Sequence, residues 1–163
     1  MDIKIKKNSH LFKVRTSGII MKDNKILVEQ YRDTSYFTLP GGYVEIGEDS
    51  SLAIIREIKE EVGVNFKIDR YLGIVENFFI NANQEKTHGI DFYYLGTTED
   101  EIPLENFDLI ENDNGTIINH HFKWIELQKL TDYDIRPKCI IPYFLRMISP
   151  IIFYSFNKKI WLN

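Results

Sequence analysis

The stretch that decides the fold is LPGGYVEIGEDSSLAIIREIKEEVGVNF, residues 39–66. It opens with a Pro-Gly-Gly turn signal and continues into a run without glycine or proline that ends at Gly63. Asp49 or Ser50 is a suitable helix N-cap, and glycine commonly follows the last residue of a helix. The stretch therefore predicts a glycine loop, whose backbone can approach a ligand closely, followed by a helix of about 13 residues.

The predicted helix is amphipathic and carries three carboxylates. At about 100° per residue, one side collects the apolar residues Leu52, Ile55, Ile58 and Val62. The opposite, open side collects Glu57, Glu60 and Glu61, and the single Arg56 cannot neutralise all three. A solvated helix face with i,i+4 ion pairs is the simpler interpretation. The functional interpretation is a site for a hard divalent cation, since Mg²⁺ binds carboxylates together with phosphate oxygens.

The chain as a whole has the composition of one globular domain. It has 163 residues, 44% apolar and 27% charged, so we predict a single domain over 1–163, with 1–10 and 150–163 as candidate terminal extensions. The net charge of −4 argues against a nucleic-acid-binding surface. Cys139 is the only cysteine, which excludes an internal disulfide and favours a reducing, cytoplasmic location.

The most apolar segment, residues 140–156, is shorter than the roughly 20 residues that span a membrane. It also contains Pro142, Arg146 and Pro150. We therefore expect a packed C-terminal helix with a tail, and no membrane insertion.

The flanks of the helix indicate strands. Residues 12–30 predict a hairpin that turns at Asp23 and Asn24, and residues 67–80 and 87–97 predict a second hairpin. Residues 102–119 are acidic and poorly periodic, so they predict a long irregular connection. The remaining predictions are a short strand at 122–125, a turn at 127–130 and a helix at 136–148 that Pro137 can start. These patterns by themselves indicate a mixed α and β domain.

The helix and its glycine loop resemble the signature of the Nudix hydrolases. That signature reads Gly, five residues, Glu, seven residues, Arg-Glu, an aliphatic residue, any residue, Glu-Glu, any residue, Gly and an aliphatic residue. The matching residues here are Gly42, Glu48, Arg56, Glu57, Ile58, Glu60, Glu61, Gly63 and Val64. The flanking hairpins, the strand with Trp124 and the C-terminal helix are also similar to the family's usual order. The resemblance implies an α/β fold, the Nudix-type α/β/α sandwich with a central mixed sheet.

The resemblance also implies an activity and a set of site residues. Nudix enzymes cut a pyrophosphate bond in a nucleoside diphosphate linked to another group, with Mg²⁺ or Mn²⁺. Carried over, Glu57, Glu60 and Glu61 are the expected metal ligands, with the backbone carbonyl of Gly41 as a further ligand. Glu57 is the first choice for the base, and Glu60 is the other expected catalytic acid.

The signature also implies supporting residues around the metal site. Glu48 and Arg56 are expected to pair and, with Gly42, to hold the loop against the helix.

The chain departs from the family pattern before the strand that contains Trp124. Many relatives have a further acid there, whereas this sequence has Asn119-His120-His121, with Glu111 and Asp113 earlier. His120 and Glu111 are therefore candidates for an extra ligand or base. Because neighbouring strand residues point to opposite faces, at most one of the two histidines faces the site.

The substrate is predicted by elimination only. The proline that many ADP-ribose hydrolases carry about fifteen residues after the signature is absent, and Phe78 and Phe79 occupy that region. A small phosphorylated nucleotide, by default a nucleoside triphosphate, is the expected substrate. The alternatives are a catalytically silent module that senses a nucleotide or binds a partner, and a metal-independent structural domain. A homodimer through the aromatic tail at 151–161 stays open.

Overall fold

The structure is a computed structural model that describes residues 1–31, 34–113 and 115–148. Its strands are β1 (Lys4–Lys7), β2 (His10–Lys22), β3 (Lys25–Tyr31), β4 (Lys67–Ile80), β5 (Lys86–Thr97), β6 (Phe107–Asp113) and β7 (Thr116–Glu126). Its helices are α1 (Ser50–Glu61) and α2 (Ile141–Ile148), with 3₁₀ helices at Leu127–Asp132 and Lys138–Ile140.

One mixed sheet holds the molecule together. Its strand order is β4-β5-β2-β3-β7-β6, with β1 beside β2, and β2 and β5 run parallel. Neighbouring residues of β2 point into separate cores: Ile20 packs in the core with Ile54 and Ile58 of α1, and Ile19 packs with Phe144 of α2. Helices therefore cover both faces of the sheet, which confirms the predicted α/β/α sandwich.

β2 and β3 diverge after their turn, and the glycine loop lies in the gap between them. The two strands pair only at the turn, from Met21 with Ile26 to Lys22 with Lys25, and then separate. The segment 38–44 fills the gap, because Thr38 exchanges backbone hydrogen bonds with Glu29 of β3 while the carbonyl of Gly42 accepts from the amide of Thr16 on β2. The Gly41-Gly42 turn thus lies between two strands, directly before α1.

The extent of α1 was predicted correctly and its buried face in part, since Ile58 and Val62 are buried as predicted. Asp49 is the N-cap, and its carboxylate accepts from the amide of Ser51. The residues of α1 that are buried are Ala53, Ile54, Ile58 and Glu61. Leu52, expected in the core, is 60% exposed, and Ile55 is 38% exposed.

The geometry of Gly18 explains this error. Gly18 of β2 has no side chain, so the Cδ1 atoms of Ile54 and Ile58 reach the sheet at its position. At about 100° per residue, the buried arc is then centred near Ile54 and includes Glu61. Glu61 consequently lies under the helix and not on its open side.

The predicted irregular connection at 102–119 is also wrong, because most of it is a hairpin. β6 pairs with β7 from Phe107 with Phe122 to Asp113 with Thr116. Phe107 and Leu109 pack against the core beneath α1, while Asp108 between them points outward. Residues 107–109 alternate as in a half-buried strand, but the exposed Ile110 breaks the apolar-acidic alternation, which together with the high acidic content concealed the strand.

The C-terminal helix is shorter than predicted. Lys138–Ile140 is 3₁₀ and α2 covers Ile141–Ile148, while the predicted tail at 150–163, including the aromatic segment 151–161, lies outside the described residues. At the other end, residues 4–7 form β1 on the edge of β2. Among the residues that the structure describes, no helix is long and apolar enough to cross a membrane.

Candidate metal and phosphate site

The glycine turn is fixed by both polar groups of Gly41. Its amide donates to Oε2 of Glu61 at 2.7 Å, and its carbonyl accepts from Nη2 of Arg15 at 2.5 Å. Its φ is +138°, and a Cβ there would come closer than 3.0 Å to the carbonyl oxygen of Thr16. Only glycine fits this position. The Gly41 carbonyl, which was expected to be a metal ligand, therefore points toward the guanidinium of Arg15.

Gly42 makes room for a carboxylate. A Cβ at this position would come closer than 3.0 Å to the carboxylate of Glu57, while its φ lies outside the left-handed region. The need for glycine here is thus one of space and not of backbone angle. Glu57 uses this space to lie directly over the turn, with its side chain 12% exposed.

Arg56 ties the loop to the acidic helix. Its Nε and Nη2 donate to the two oxygens of Glu48 at 2.9 and 2.8 Å, and Nη2 also donates to the carbonyl of Tyr43 at 3.0 Å. Its Nη1 donates to Oε1 of Glu57 at 2.8 Å and to Oε2 of Glu60 at 3.0 Å. The hydrogen bonds from Arg56 lower the pKa of Glu48. Arg56 therefore orients two of the expected ligands and the acid of the loop.

Glu61 is buried, Glu57 is mostly buried, and both resist ionisation. Burial raises the pKa of Glu57 to about 7, although its contact with Arg56 opposes the rise. The pKa of Glu61 lies well above its usual value, because of burial and then of the nearby Glu29 and Glu57 carboxylates. Glu60 differs, with a side chain that is 44% exposed. Closely placed carboxylates of this kind become favourable when a cation joins them.

A buried cluster lies beneath Glu61. One ligand atom each of Glu61, Glu29 of β3 and His120 of β7 lie within 4.8 Å of one another. Nδ1 of His120 is 2.6 Å from Oε1 of Glu29, and these residues are 0% and 2% exposed. His121 points to the other face and contacts Asp108. The structure thus brings one of the two histidines to the site, as the strand alternation predicted.

Glu29 was not predicted from the sequence, and the side chain of the predicted Glu111 lies outside the described part of the structure. Glu29 follows Ile26, Leu27 and Val28, which are fully buried, so a lone acid at the end of an apolar run was the available signal. Glu111 lies in β6 opposite Ile118. The structure describes the backbone of Glu111 but not its side chain, so its predicted role stays a prediction.

A group of cations on the neighbouring strands was also missed. Nζ of Lys4 and of Lys13 lie 5.0 and 5.8 Å from the centre of the Tyr43 ring, and Cζ of Arg15 lies 5.5 Å from it. Burial, and then Arg15, lower the pKa of Lys13 to about 8. We call Lys4, Lys13 and Arg15 the cation cluster. It is continuous with the site, because Arg15 also binds Gly41.

The donor set fits a hard divalent ion. Carboxylate oxygens of Glu57, Glu60 and Glu61 come from one helix, and Mg²⁺ and Mn²⁺ prefer such oxygens over sulfur or nitrogen. Desolvation raises the pKa of both Glu57 and Glu61 despite their contacts with Arg56 and with the Gly41 amide, and a divalent ion would offset the cost of keeping both ionised. Glu61 lies in the group of ligand atoms within 4.8 Å of one another, with Glu29 and His120, whereas that group contains neither Glu57 nor Glu60, so an ion held jointly by the three helix acids stays a prediction.

Comparison with known proteins gives the same family as the signature. A NUDIX domain model matches residues 12–144. ADP-ribose pyrophosphatase from Methanocaldococcus jannaschii is 33% identical over 127 residues, 68% of this chain and 73% of that protein. Diphosphoinositol polyphosphate phosphohydrolase 2 from Homo sapiens is 37% identical over 78 residues, 48% of this chain and 40% of that protein. The chain thus spans less than half the length of this second relative.

Solved structures share the fold. The MutT protein from Bacillus halodurans has a TM-score of 0.60 at 18% identity, covering 83% of this chain and 82% of that chain. The Nitrosomonas europaea NUDIX hydrolase has a TM-score of 0.59 at 22% identity, covering 82% and 85%. Together with the matched domain and the loop-helix geometry, these comparisons establish that the chain belongs to the Nudix hydrolase family.

Proposed function

We propose that this chain hydrolyses a pyrophosphate bond in a small nucleoside diphosphate derivative, with Mg²⁺ or Mn²⁺ held by Glu57, Glu60 and Glu61. The observation that carries the proposal is the contact of the helix acids with the glycine turn. Glu61 accepts the amide of Gly41 at 2.7 Å, and Glu57 occupies the space over Gly42. A bound divalent ion neutralises phosphate oxygens and lowers the pKa of a bound water.

Glu57 is proposed as the base that accepts the water proton. Its Oε1 is engaged by Arg56 at 2.8 Å, and its Oε2 faces the turn at Gly42. A carboxylate beside a bound divalent ion stays ionised at neutral pH, so it can accept the proton of a water that the ion has acidified. In this proposal Glu57, Glu60 and Glu61 hold the ion, and Glu57 also accepts the water proton at Oε2. Arg56 keeps Glu57 and Glu60 in place.

ADP-ribose is the first candidate substrate. The relative aligned over 73% of its own length is named an ADP-ribose pyrophosphatase, which supports a nucleoside diphosphate linked to a sugar. The cation cluster favours a second class, a substrate with more phosphates, such as the diphosphoinositol polyphosphate in the name of the other relative. Cations beside the site would neutralise phosphates that are not cut.

The test is product release from ADP-ribose, a diphosphoinositol polyphosphate, nucleoside triphosphates and dinucleoside polyphosphates, each with Mg²⁺ and with Mn²⁺. We expect turnover of ADP-ribose, and a lower KM for the more highly phosphorylated substrates if the cation cluster binds them. Lys13→Met should then raise KM for those substrates and leave ADP-ribose unchanged. Turnover of nucleoside triphosphates alone would support the expectation from the sequence instead.

The alternative is a catalytically silent module that binds a nucleotide or a partner protein. The intact set of signature acids supports the enzyme, since binding a nucleotide does not require all of them. Tight Mn²⁺ binding without turnover of any substrate in the panel would favour the silent module.

A further inference from the structure

The buried pair of His120 and Glu29 has no place in the function proposed above. Its two residues come from different strands, β7 and β3, and Nδ1 of His120 lies 2.6 Å from Oε1 of Glu29. With exposures of 0% and 2%, water cannot replace either partner. The hydrogen bond therefore fixes the orientation of the Glu29 carboxylate.

Glu29 is connected to the glycine turn in two ways. Its carboxylate lies in the cluster with Glu61, whose Oε2 accepts the amide of Gly41. Its backbone amide and carbonyl both bond to Thr38, at 2.8 and 2.7 Å, in the segment that leads into Gly41. A shift of Glu29 would therefore reach the site through the side chain of Glu61 and through the loop.

Repulsion between the Glu29 and Glu61 carboxylates links the position of Glu29 to ion binding at Glu61. Glu29 and Glu61 are neighbouring buried carboxylates, which repel each other in a region of low dielectric constant. Without a tether, Glu29 could relieve the repulsion by turning away from Glu61. With the tether, the repulsion is relieved when Glu61 binds either a proton or a divalent ion, so the fixed Glu29 carboxylate favours an ion-bound Glu61 over an ionised, ion-free one.

We propose that His120 and Glu29 are positioning residues for Glu61: His120 fixes the Glu29 carboxylate, and Glu29 and the Gly41 amide together set the orientation in which Glu61 binds the divalent ion. The inference rests on the proposed function in one respect, that Glu61 holds the ion.

The chain supplies a matched control on the same strand. His121 contacts Oδ1 of Asp108 through its Nδ1 at 2.6 Å, the same distance as in the buried pair. The His121 side chain is 43% exposed and that of Asp108 is 69% exposed. An exposed pair of this kind contributes little, so substitution of His121 reports the general effect of losing a histidine from β7.

The experiment measures Mn²⁺ affinity of the chain without substrate, by electron paramagnetic resonance, for wild type, H120F, H120N, E29Q and H121F. Phenylalanine keeps a ring beside Phe122, on which His120 stacks, but removes Nδ1. Asparagine places an amide near the position of Nδ1. We expect H120F to weaken Mn²⁺ binding about 10- to 100-fold, H120N to restore most of the loss and H121F to leave the affinity unchanged.

Thermal unfolding of the same variants separates positioning from stability. If H120F lowers Tm but binds Mn²⁺ as wild type does, His120 is only structural and the inference is overturned. If H120F fails to fold, the nearly isosteric E29Q decides: unchanged Mn²⁺ affinity overturns the inference, and a loss like that expected for H120F supports it. Absence of Mn²⁺ binding in wild type would instead refute the proposed function itself.

Discussion

The carboxylate of Glu57 lies where a side chain on Gly42 would stand, since a Cβ at position 42 would come closer than 3.0 Å to it. Gly41 is restricted in a different way. Its φ is +138°, and a Cβ on it would meet the backbone of Thr16. The end of a flexible side chain can move away, but a strand backbone cannot. The two glycines of the turn are therefore required for different reasons, one for the site and one for the fold.

Substitution of these glycines by alanine should separate activity from stability. Gly42→Ala should displace the Glu57 carboxylate and lower kcat about 100-fold, with the free energy of unfolding changed by less than about 1 kcal/mol. Gly41→Ala should lower the free energy of unfolding by more than about 2 kcal/mol. Denaturant unfolding and initial rates on the same preparations check both. Equal loss of stability in the two variants would contradict this division.

The stability of the metal-free protein should fall as pH rises from about 4.5 to about 7. The pKa of Glu57 is about 7 in the folded chain against 4.5 for an ordinary glutamate, so in this window the folded state binds more protons than the unfolded state. Its contribution is present at low pH and is lost as pH rises, by at most about 3 kcal/mol. Glu61 and Asp91, whose pKa values are also raised, act in the same direction.

Urea unfolding at pH 5 and pH 8 in the presence of a chelator measures this loss. Glu57→Gln cannot titrate, so its difference between the two pH values should be smaller than that of wild type. An unchanged difference in the variant would mean that Glu57 titrates normally.

Neighbouring isoleucines of α1 test the corrected orientation of the helix. Ile54 is 0% exposed and Ile55 is 38% exposed. Ile54→Ala should lower the free energy of unfolding by about 2–5 kcal/mol, whereas Ile55→Ala should cost about 1 kcal/mol or less. Both substitutions replace the same residue type on the same helix, so thermal or denaturant unfolding compares burial alone. A larger loss of unfolding free energy for Ile55→Ala than for Ile54→Ala would instead support the buried face predicted from periodicity, which contains Ile55.

The helices, turns and strands that depend on local sequence patterns were the ones predicted correctly. The helix at residues 50–61, the turn at Asp23 and Asn24, and the strand at residues 67–80 follow from capping, positive-φ residues and β-branched composition. The acids of α1 were identified because the signature fixes their spacing.

What the sequence did not predict depends on pairing between distant segments. Glu29 and His120 meet across 91 positions, and Arg15 reaches the carbonyl of Gly41 across 26. Neither contact produces a periodic pattern in the sequence. The inward turn of Glu61 likewise depends on the absence of a side chain at Gly18, which no property of the helix itself reveals.

The central claim is that the acids of α1 hold a divalent ion for hydrolysis, and Glu60→Gln tests it most directly. Glu60 has the most exposed side chain of the three acids, so its substitution should disturb packing least. Mn²⁺ affinity and product release are measured for wild type, Glu60→Gln and, as the control, Glu105→Gln, which alters an exposed acid outside the helix and the signature. We predict that Glu60→Gln weakens Mn²⁺ binding and abolishes turnover while Glu105→Gln matches wild type. Wild-type metal binding and turnover in Glu60→Gln would contradict the account.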